Sequence, residues 1–373
     1  MRKALLALAL ALISVFTLVA CGETTYEIAM VTDSGGIDDK SFNQGTWEGI
    51  IRYAEENDKT YKYYKPAEVS DAAYLAAIKL AVDGGAKIVI TPGYLFETSI
   101  NDAQTLYPEV KFVLIDGEPH TADNPDTEAY DPIYETKSNT LCILFDENEA
   151  GFYAGYAAVQ GGLDNLGFFG GMAVPAVVRF GVGYVAGAYY AADELDVAIT
   201  FDATHYHYLG SFAPSDDAKN LARTWFNAGV DVIFAAAGGA GSSAMLAAEE
   251  VTGKYTIGVD KDQSTESLTV VTSALKGVGE AAYQALEDYY GGTFVGGRTI
   301  SLGSAEGGVA LPSDFSRFGT SATAVAAAYD SLFDLVVAGT VVVPTNDAAS
   351  LAAFLTNLGV DAAQVTAICD AAE

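Results

Sequence analysis

Histidine and cysteine are scarce in this 373-residue chain, three of each, and basic residues are few, 19 against 49 acids. Each shortage closes off a class of function. No C-x-x-C pair is present, so a structural zinc site has no starting point. The formal charge of -30 removes the basic surface that a nucleic-acid partner needs and leaves a repulsive, well-solvated exterior. After residue 20 no apolar run is long enough to span a bilayer. No G-x-S-x-G elbow occurs, and the glycine run 238–241 lacks the lysine and hydroxyl of a P-loop. His205 and His207 alternate and share one strand face, but no third ligand is indicated, so packing explains them better than a metal. His120 stands in a polar stretch without an evident partner. No catalytic residue, metal or cofactor is therefore expected. Cys142 sits in an apolar run and reads as a small buried hydrophobe, with a Cys142–Cys369 bridge as the alternative.

What is present begins at the amino terminus. Met1-Arg2-Lys3 and an apolar run over 4–20 read as a secretory signal. Leu18-Val19-Ala20-Cys21 resembles the bacterial lipobox, which implies cleavage before Cys21, a lipid on its sulfur and a short lipidated linker over 21–25. The mature chain is then expected on the extracytoplasmic face of the cell membrane, anchored rather than embedded.

The rest alternates apolar runs with helical patterns. Strands are predicted at 28–32, 61–65, 87–91, 111–115, 140–145, 166–170, 198–208, 232–236, 255–259, 269–273 and 299–302. Ser41 and Gln44 read as a capping box, followed by Trp47, Ile50, Ile51 and Ala54 at helical spacing. Such alternation means parallel sheets with helices on both faces, and so many strands suggest two sheets, one per lobe. The proline- and acid-bearing segment 118–139 reads as the first crossing between lobes, and 345–373 as an alanine-rich helical extension.

Residues just past the strands carry the functional signal, because ligands in open α/β sheets bind beyond the carboxyl ends of strands. The richest loop follows the first strand and reads V-T-D-S-G-G-I-D-D-K-S-F-N-Q over 31–44. Asp116-Gly117, Gly210-Ser211-Phe212, 238–241, 260–263 and Lys276 follow later strands. Carboxylates accept from several hydroxyls, phenyl rings stack on flat faces, and glycines admit close backbone approach. A nucleoside fits that lining; a phosphate ester fits worse, since Asp33, Asp116 and Asp260 would repel it. Each residue alone is as well explained as a turn, a cap or core.

The run 33–44 closely resembles a motif of the basic membrane protein lipoproteins, the substrate-binding proteins of nucleoside ABC importers, also called the purine nucleoside receptor A group. Further resemblance lies in F-V-L-I-D at 112–116, E-A-G-F-Y-A-G-Y at 149–156, L-G-F-F-G-G at 166–171, G-S-F at 210–212, A-G-G-A-G at 237–241, G-V-D-K-D-Q at 258–263 and T-S-A-L-K at 272–276. It spans roughly residues 26–344.

The resemblance implies a type I periplasmic-binding-protein fold, two Rossmann-like lobes joined by three crossings. Lobe one is expected over 26–137 plus 265–298, and lobe two over 138–264 plus 299–344. It implies a purine nucleoside (adenosine, guanosine or inosine) in the cleft: Phe42 and Phe212 against the base, Asp33, Asn43 and Asp116 on its polar edge, Gly238, Asp260 and Lys276 on the ribose, with Asp39 beside them. The expected state is a monomer serving an ABC permease and separate ATPase chains. Two rivals stay open: a nucleoside hydrolase with an acidic metal site around Asp33, Asp38 and Asp39, and a sugar-binding or sensor lipoprotein of the same fold.

Overall fold

A computed structural model describes residues 25–122, 131–345 and 347–372; the signal and lipobox residues lie outside them. The first lobe opens with β1 (Ile28–Val31), α1 (Phe42–Glu56), β2 (Tyr61–Tyr64), α2 (Asp71–Asp83), β3 (Ile88–Pro92), α3 (Glu97–Leu106), β4 (Lys111–Ile115) and β5 (Thr140–Phe145). The chain crosses to α4 (Glu147–Gln160), β6 (Asn165–Gly170), α5 (Pro175–Leu195), β7 (Thr200–Tyr208), α6 (Asp216–Ala228), β8 (Val232–Ala236), α7 (Gly241–Glu249), β9 (Tyr255–Asp260) and β10 (Val270–Lys276). It returns for α8 (Val278–Gly291) and β11 (Arg298–Leu302), then crosses again to β12 (Val309–Ala310) and α9 (Ala322–Val337). The tail forms α10 (Ala348–Asn357) and α11 (Ala362–Ala372).

Two six-stranded sheets result, ordered β11-β5-β4-β3-β1-β2 and β12-β10-β9-β8-β6-β7. All pairings are parallel except β12 against β10. β1, β3 and β8 are buried along their whole length, as strands covered by helices on both faces must be.

The strands correct the expected lobe boundaries. β5, assigned by sequence to lobe two, pairs with β4 in the first sheet, with Phe112 opposite Thr140. β10, assigned to lobe one, pairs with β9 in the second, and β11 joins the first sheet beside β5. The described parts of the segment 118–139, residues 118–122 and 131–139, therefore stay with lobe one, and the expected crossing there is corrected. They are tied to their own lobe: Asn139 Nδ2 donates to the carbonyls of Gln104, Tyr107 and Val110 at 3.1, 3.3 and 3.1 Å, and Gln104 Nε2 donates to Glu135 O at 2.8 Å. The three crossings run instead from β5 to α4, from β10 to α8 and from β11 to β12. The short β12 had no periodic signal to reveal it.

Helix pairs close each lobe through glycine. A Cβ on Gly49 of α1 would lie 2.0 Å from Gly279 O of α8. Between α4 and α5 the approach is doubled: a Cβ on Gly151 or Gly155 would meet Phe180 O or Tyr184 O at 2.2 or 2.1 Å, and one on Gly183 or Gly187 would meet Asn148 O or Phe152 O at 1.9 Å. The tail packs on lobe two, where α11 lies against the outermost strand β7 and Tyr208 OH donates to Ala372 O at 2.9 Å. Cys142 lies buried in β5 and Cys369 buried in α11, so the alternative of a bridge between them falls.

Candidate ligand-binding cleft

The carboxyl ends of both sheets face one shared cleft. Every residue singled out for ligand contact lines it: Asp33, Asp39, Phe42, Asn43 and Asp116 from lobe one, and Phe212, Gly238, Asp260 and Lys276 from lobe two. Tyr94, which follows β3, also lines it, and sequence reasoning missed the stretch 174–177 and Phe180. The apolar 174–177 stretch carried no polar signal, and Phe180 sits inside a helix that reads as core.

The loop after β1 is built on one amide. Asn43, 2 % exposed, donates from Nδ2 to Asp33 Oδ1 at 2.8 Å and to Asp39 Oδ2 at 2.9 Å, while its Oδ1 accepts from Asp33 N at 3.3 Å. Asp33 Oδ1 also takes Gly35 N at 2.8 Å, which leaves Oδ2 without a donor among the described residues. Asp39 keeps nothing for a ligand: Oδ1 accepts from Ser41 N and Gln44 N, and Oδ2 from Asn43 N and Nδ2. It is the cap of α1. The expected capping box at Ser41 is corrected accordingly. Ser41 makes no side-chain cap; its hydroxyl donates across the cleft to Asp260 Oδ2 at 2.5 Å, and Gln44 Oε1 accepts from Lys40 N at 3.1 Å.

Asp116 and Asp260 both adopt positive φ, 61° and 64°, a conformation rare outside glycine that places their carboxylates at the strand ends. Asp116 and Glu147 both accept from Lys276 Nζ, Glu147 at 2.8 Å, and Glu147 also accepts from Arg179 Nε. Asp116 Oδ1 is buried with no partner among the described residues. Burial raises the carboxyls of Asp33 and Asp260 to about 6, opposed at Asp33 by its hydrogen bonds and at Asp260 by Lys276. Burial also pushes the Asp116 carboxyl up, against the pull of Lys276. Desolvation opposes the charge on Lys276, but Asp116, Glu147 and Asp260 raise its pKa above the ordinary value and keep it ionised. Glu147 and Arg179 had no sequence signal, because nothing in Asp146-Glu147-Asn148-Glu149 marks which acid turns inward.

The two phenyl rings are held differently, Phe212 against the backbone of Gly171 and Phe42 against Lys276. Phe212 lies so close to Gly171 that a Cβ there would come within 2.3 Å of its ring, so glycine is required. Phe42 presents its ring to Lys276 Nζ, 4.8 Å from the centroid. His205 packs on Trp225 at 5.2 Å between centroids, and His120 hydrogen-bonds Glu97 at 3.2 Å. Among the described residues no group of three metal-ligating side chains comes together. Between Asp33 and Asp39, where the hydrolase reading would put a metal, the Asn43 amide gives a proton to each.

Two lobes of parallel sheet with strand ends converging on a shared cleft are the fold of solved two-lobe solute-binding proteins. A solved solute-binding protein of an ABC transporter system from Aeropyrum pernix superposes with a TM-score of 0.71 at 22 % identity, covering 93 % of this chain and 99 % of that one. The family model Bmp, described as ABC transporter substrate-binding protein PnrA-like, matches residues 26–327, and the chain belongs to that family. Its relatives include the ABC transporter nucleoside-binding protein BmpA of Lactococcus lactis subsp. cremoris, 28 % identical over 348 residues, 84 % of this chain and 92 % of that protein. Basic membrane protein A1 of Borrelia garinii subsp. bavariensis is 32 % identical over 285 residues, 75 % of this chain and 78 % of that one. The protein is thus an ABC transporter substrate-binding protein, and no helix among the described residues is long and apolar enough to cross a membrane.

Proposed function

We propose that the chain captures a purine nucleoside in the cleft and delivers it to an ABC permease driven by separate ATPase chains, while a lipid on Cys21 holds it at the outer face of the cell membrane. One observation carries the ligand assignment: the inventory of polar groups left over. Asp33 Oδ2, Asp116 Oδ1 and Asp260 Oδ1 receive no hydrogen bond from the described residues, whereas the Asn43 amide protons are committed. Lys276 has two of its three protons engaged. The ligand that suits such a site is neutral and rich in N–H and O–H donors. The opposite wall, with Val174, Val177, Phe180 and Phe212, suits a flat apolar face. A nucleoside meets both requirements. A nucleotide would bring its phosphate among carboxylates, and a bare sugar would leave the aromatic wall unused.

In this reading Phe42 and Phe212 contact the base, Asp33 and Asp116 accept from its polar edge, and Gly238, Asp260 and Lys276 hold the ribose. Asn43 and Asp39 hold Asp33 and the start of α1 in place. The Lactococcus relative is a nucleoside-binding protein, which supports the ligand class. The Asn43 bridge between Asp33 and Asp39 favours capture over metal-assisted hydrolysis.

Calorimetric titration of the chain from residue 22 onward with adenosine, guanosine, inosine, cytidine and ribose tests the proposal. One-to-one binding of the purine nucleosides, lost in Asp260→Ala, is expected. Binding of ribose alone would overturn the ligand class, and release of free base during the titration would overturn the non-catalytic reading. For the anchor, Cys21→Ala should move the protein from the detergent phase to the aqueous phase on Triton X-114 partition; unchanged partition removes the lipid.

A further inference from the structure

Glu147 is a carboxylate with 0 % side-chain exposure that does not itself line the cleft. Its two oxygens are divided, Oε1 accepting from Lys276 Nζ at 2.8 Å and Oε2 from Arg179 Nε. Lys276 in turn reaches Asp116, so four charges alternate in sign along one buried line. Their origins differ. Glu147 opens α4, Arg179 is in α5 and Lys276 ends β10, all in lobe two; Asp116 follows β4 in lobe one. If the lobes part, Lys276 loses Asp116 but keeps Glu147. Burial pushes the Glu147 carboxyl up, and Lys276 and Arg179 together pull it below its ordinary value, so it stays an anion. Buried ion pairs add little to stability over apolar packing of the same shape, so stability alone is a weak reason for such a line.

The surroundings of Lys276 suggest a different role. The rings of Phe42, Phe145 and Phe180 stand 4.8, 5.3 and 5.8 Å from Nζ and confine the ammonium on its open sides. With Asp116 and Glu147 taking two protons, one remains for a ligand.

We infer that Glu147, braced by Arg179, is a positioning residue for ligand recognition: it holds Lys276 aimed into the cleft whether the lobes are apart or together, so that the hydroxyl-bearing part of the ligand meets a donor already in place. The inference rests on the nucleoside reading above and assigns its ribose selectivity to a side chain outside the cleft.

A double-mutant cycle tests it. Wild type, Glu147→Gln, Lys276→Met and the double variant are titrated with guanosine and adenosine and with their 2′-deoxy and 3′-deoxy counterparts. Wild type should favour the ribonucleoside over the weaker-binding deoxy form by roughly tenfold or more, the worth of a hydrogen bond to a charged group. Lys276→Met should abolish that preference. Glu147→Gln should remove most of it, and should change nothing further in the Lys276→Met background. Thermal melting without ligand separates a folding defect from a recognition defect. If Glu147→Gln does not fold, Arg179→Met is used, with a smaller loss of the same preference expected. Should Glu147→Gln melt early yet keep the ribose preference, or lower affinity equally in both backgrounds, its role is structural and the inference falls. Wild-type protein that takes up no nucleoside overturns the nucleoside reading, and this inference with it.

Discussion

Apart from their edge strands, β11 parallel and β12 antiparallel, the two sheets correspond strand for strand. β4 leads into Asp116 and β9 ends in Asp260, both at positive φ, and β3 and β8 each run into a glycine at positive φ, Gly93 and Gly238, beside a short 3-10 turn. The rims they carry are chemically different. Lobe one sets Asp33, Asp39, Asn43 and Asp116 beside Phe42, Tyr94 and Leu95, whereas lobe two is mostly apolar, with Val174, Val177, Phe180, Phe212 and Val259, and has Asp260 and Lys276 as its charged groups. On the proposed nucleoside reading, the carboxylates concentrated in lobe one discriminate and the larger apolar share of lobe two supplies contact area. Burial of an apolar face gives affinity with little direction, while buried acceptors penalise any ligand that fails to donate. A two-lobe cleft can therefore separate strength from selectivity.

Breaking the helix pairs behind the rims should have the largest effect. Gly183→Ala and Gly49→Ala each drive a methyl into a backbone carbonyl, at 1.9 and 2.0 Å before relaxation. Each should cost about 3 kcal/mol, with Gly183→Ala the worse because four glycines in lobe two share one interface. Chemical denaturation checks this. A loss below about 1 kcal/mol for Gly183→Ala would mean that α4 and α5 separate freely and do not set the rim of lobe two.

The division of labour itself is sharpened by one substitution in each wall. Phe212→Ala should weaken all nucleosides alike, by about 2–3 kcal/mol or roughly 30- to 150-fold. Asp33→Asn should cost less overall, about tenfold, and should reorder the bases, because it puts a donor or a neutral acceptor where only acceptors stood. Titration of both variants against the same nucleosides decides. Reordering by Phe212→Ala with uniform loss from Asp33→Asn would invert the assignment of the walls.

A pH series probes a property that the lobes share. The carboxyls of Asp33 and Asp260, one in each lobe, stand raised to about 6 by burial. The folded state then binds more protons than the unfolded chain between about pH 4 and pH 6, so ligand-free stability falls as pH rises through that window. Each group should account for about 2 kcal/mol. Melting temperatures without ligand should drop from pH 4.5 to 7.5, with a shallower slope in Asp33→Asn and in Asp260→Asn. Nucleoside affinity should run the other way, rising with pH as the acceptors ionise. A flat or rising melting curve in ligand-free wild type would contradict the raised pKa of these two carboxyls.

Much of this was legible in the residues, for identifiable reasons. The apolar runs 111–115, 140–145 and 232–236 coincide with β4, β5 and β8, since central parallel strands are continuously apolar. All nine ligand candidates reach one cleft because strand-end residues of a parallel sheet converge by topology. Lobe membership was not legible: β5 and β10 look alike as sequence, and only hydrogen-bond partners tell which sheet each joins. The cap of α1 was misread because Asp39 and Ser41 are both good caps, and the choice fell to Asp260 across the cleft, which engages the Ser41 hydroxyl. Glu147 escaped because a buried charge leaves no periodic trace.

The smallest effect tests whether a cap on the polar wall does more than a cap elsewhere. Asp39 caps α1 through Asn43 N and Gln44 N at 2.9 and 3.0 Å, and in lobe two Ser215 caps α6 through Ala218 N at 3.1 Å. Removing either, in Asp39→Ala or Ser215→Ala, should cost about 1 kcal/mol of stability. The two should differ in binding. Asp39 also takes one proton of the Asn43 amide that fixes Asp33, so its loss should weaken nucleosides by roughly threefold to tenfold. Ser215 does not line the cleft, and its loss should leave affinity unchanged. Equal affinities in the two variants would mean that Asn43 holds Asp33 unaided, and that the ordering of the polar wall begins with Asn43 and not with Asp39.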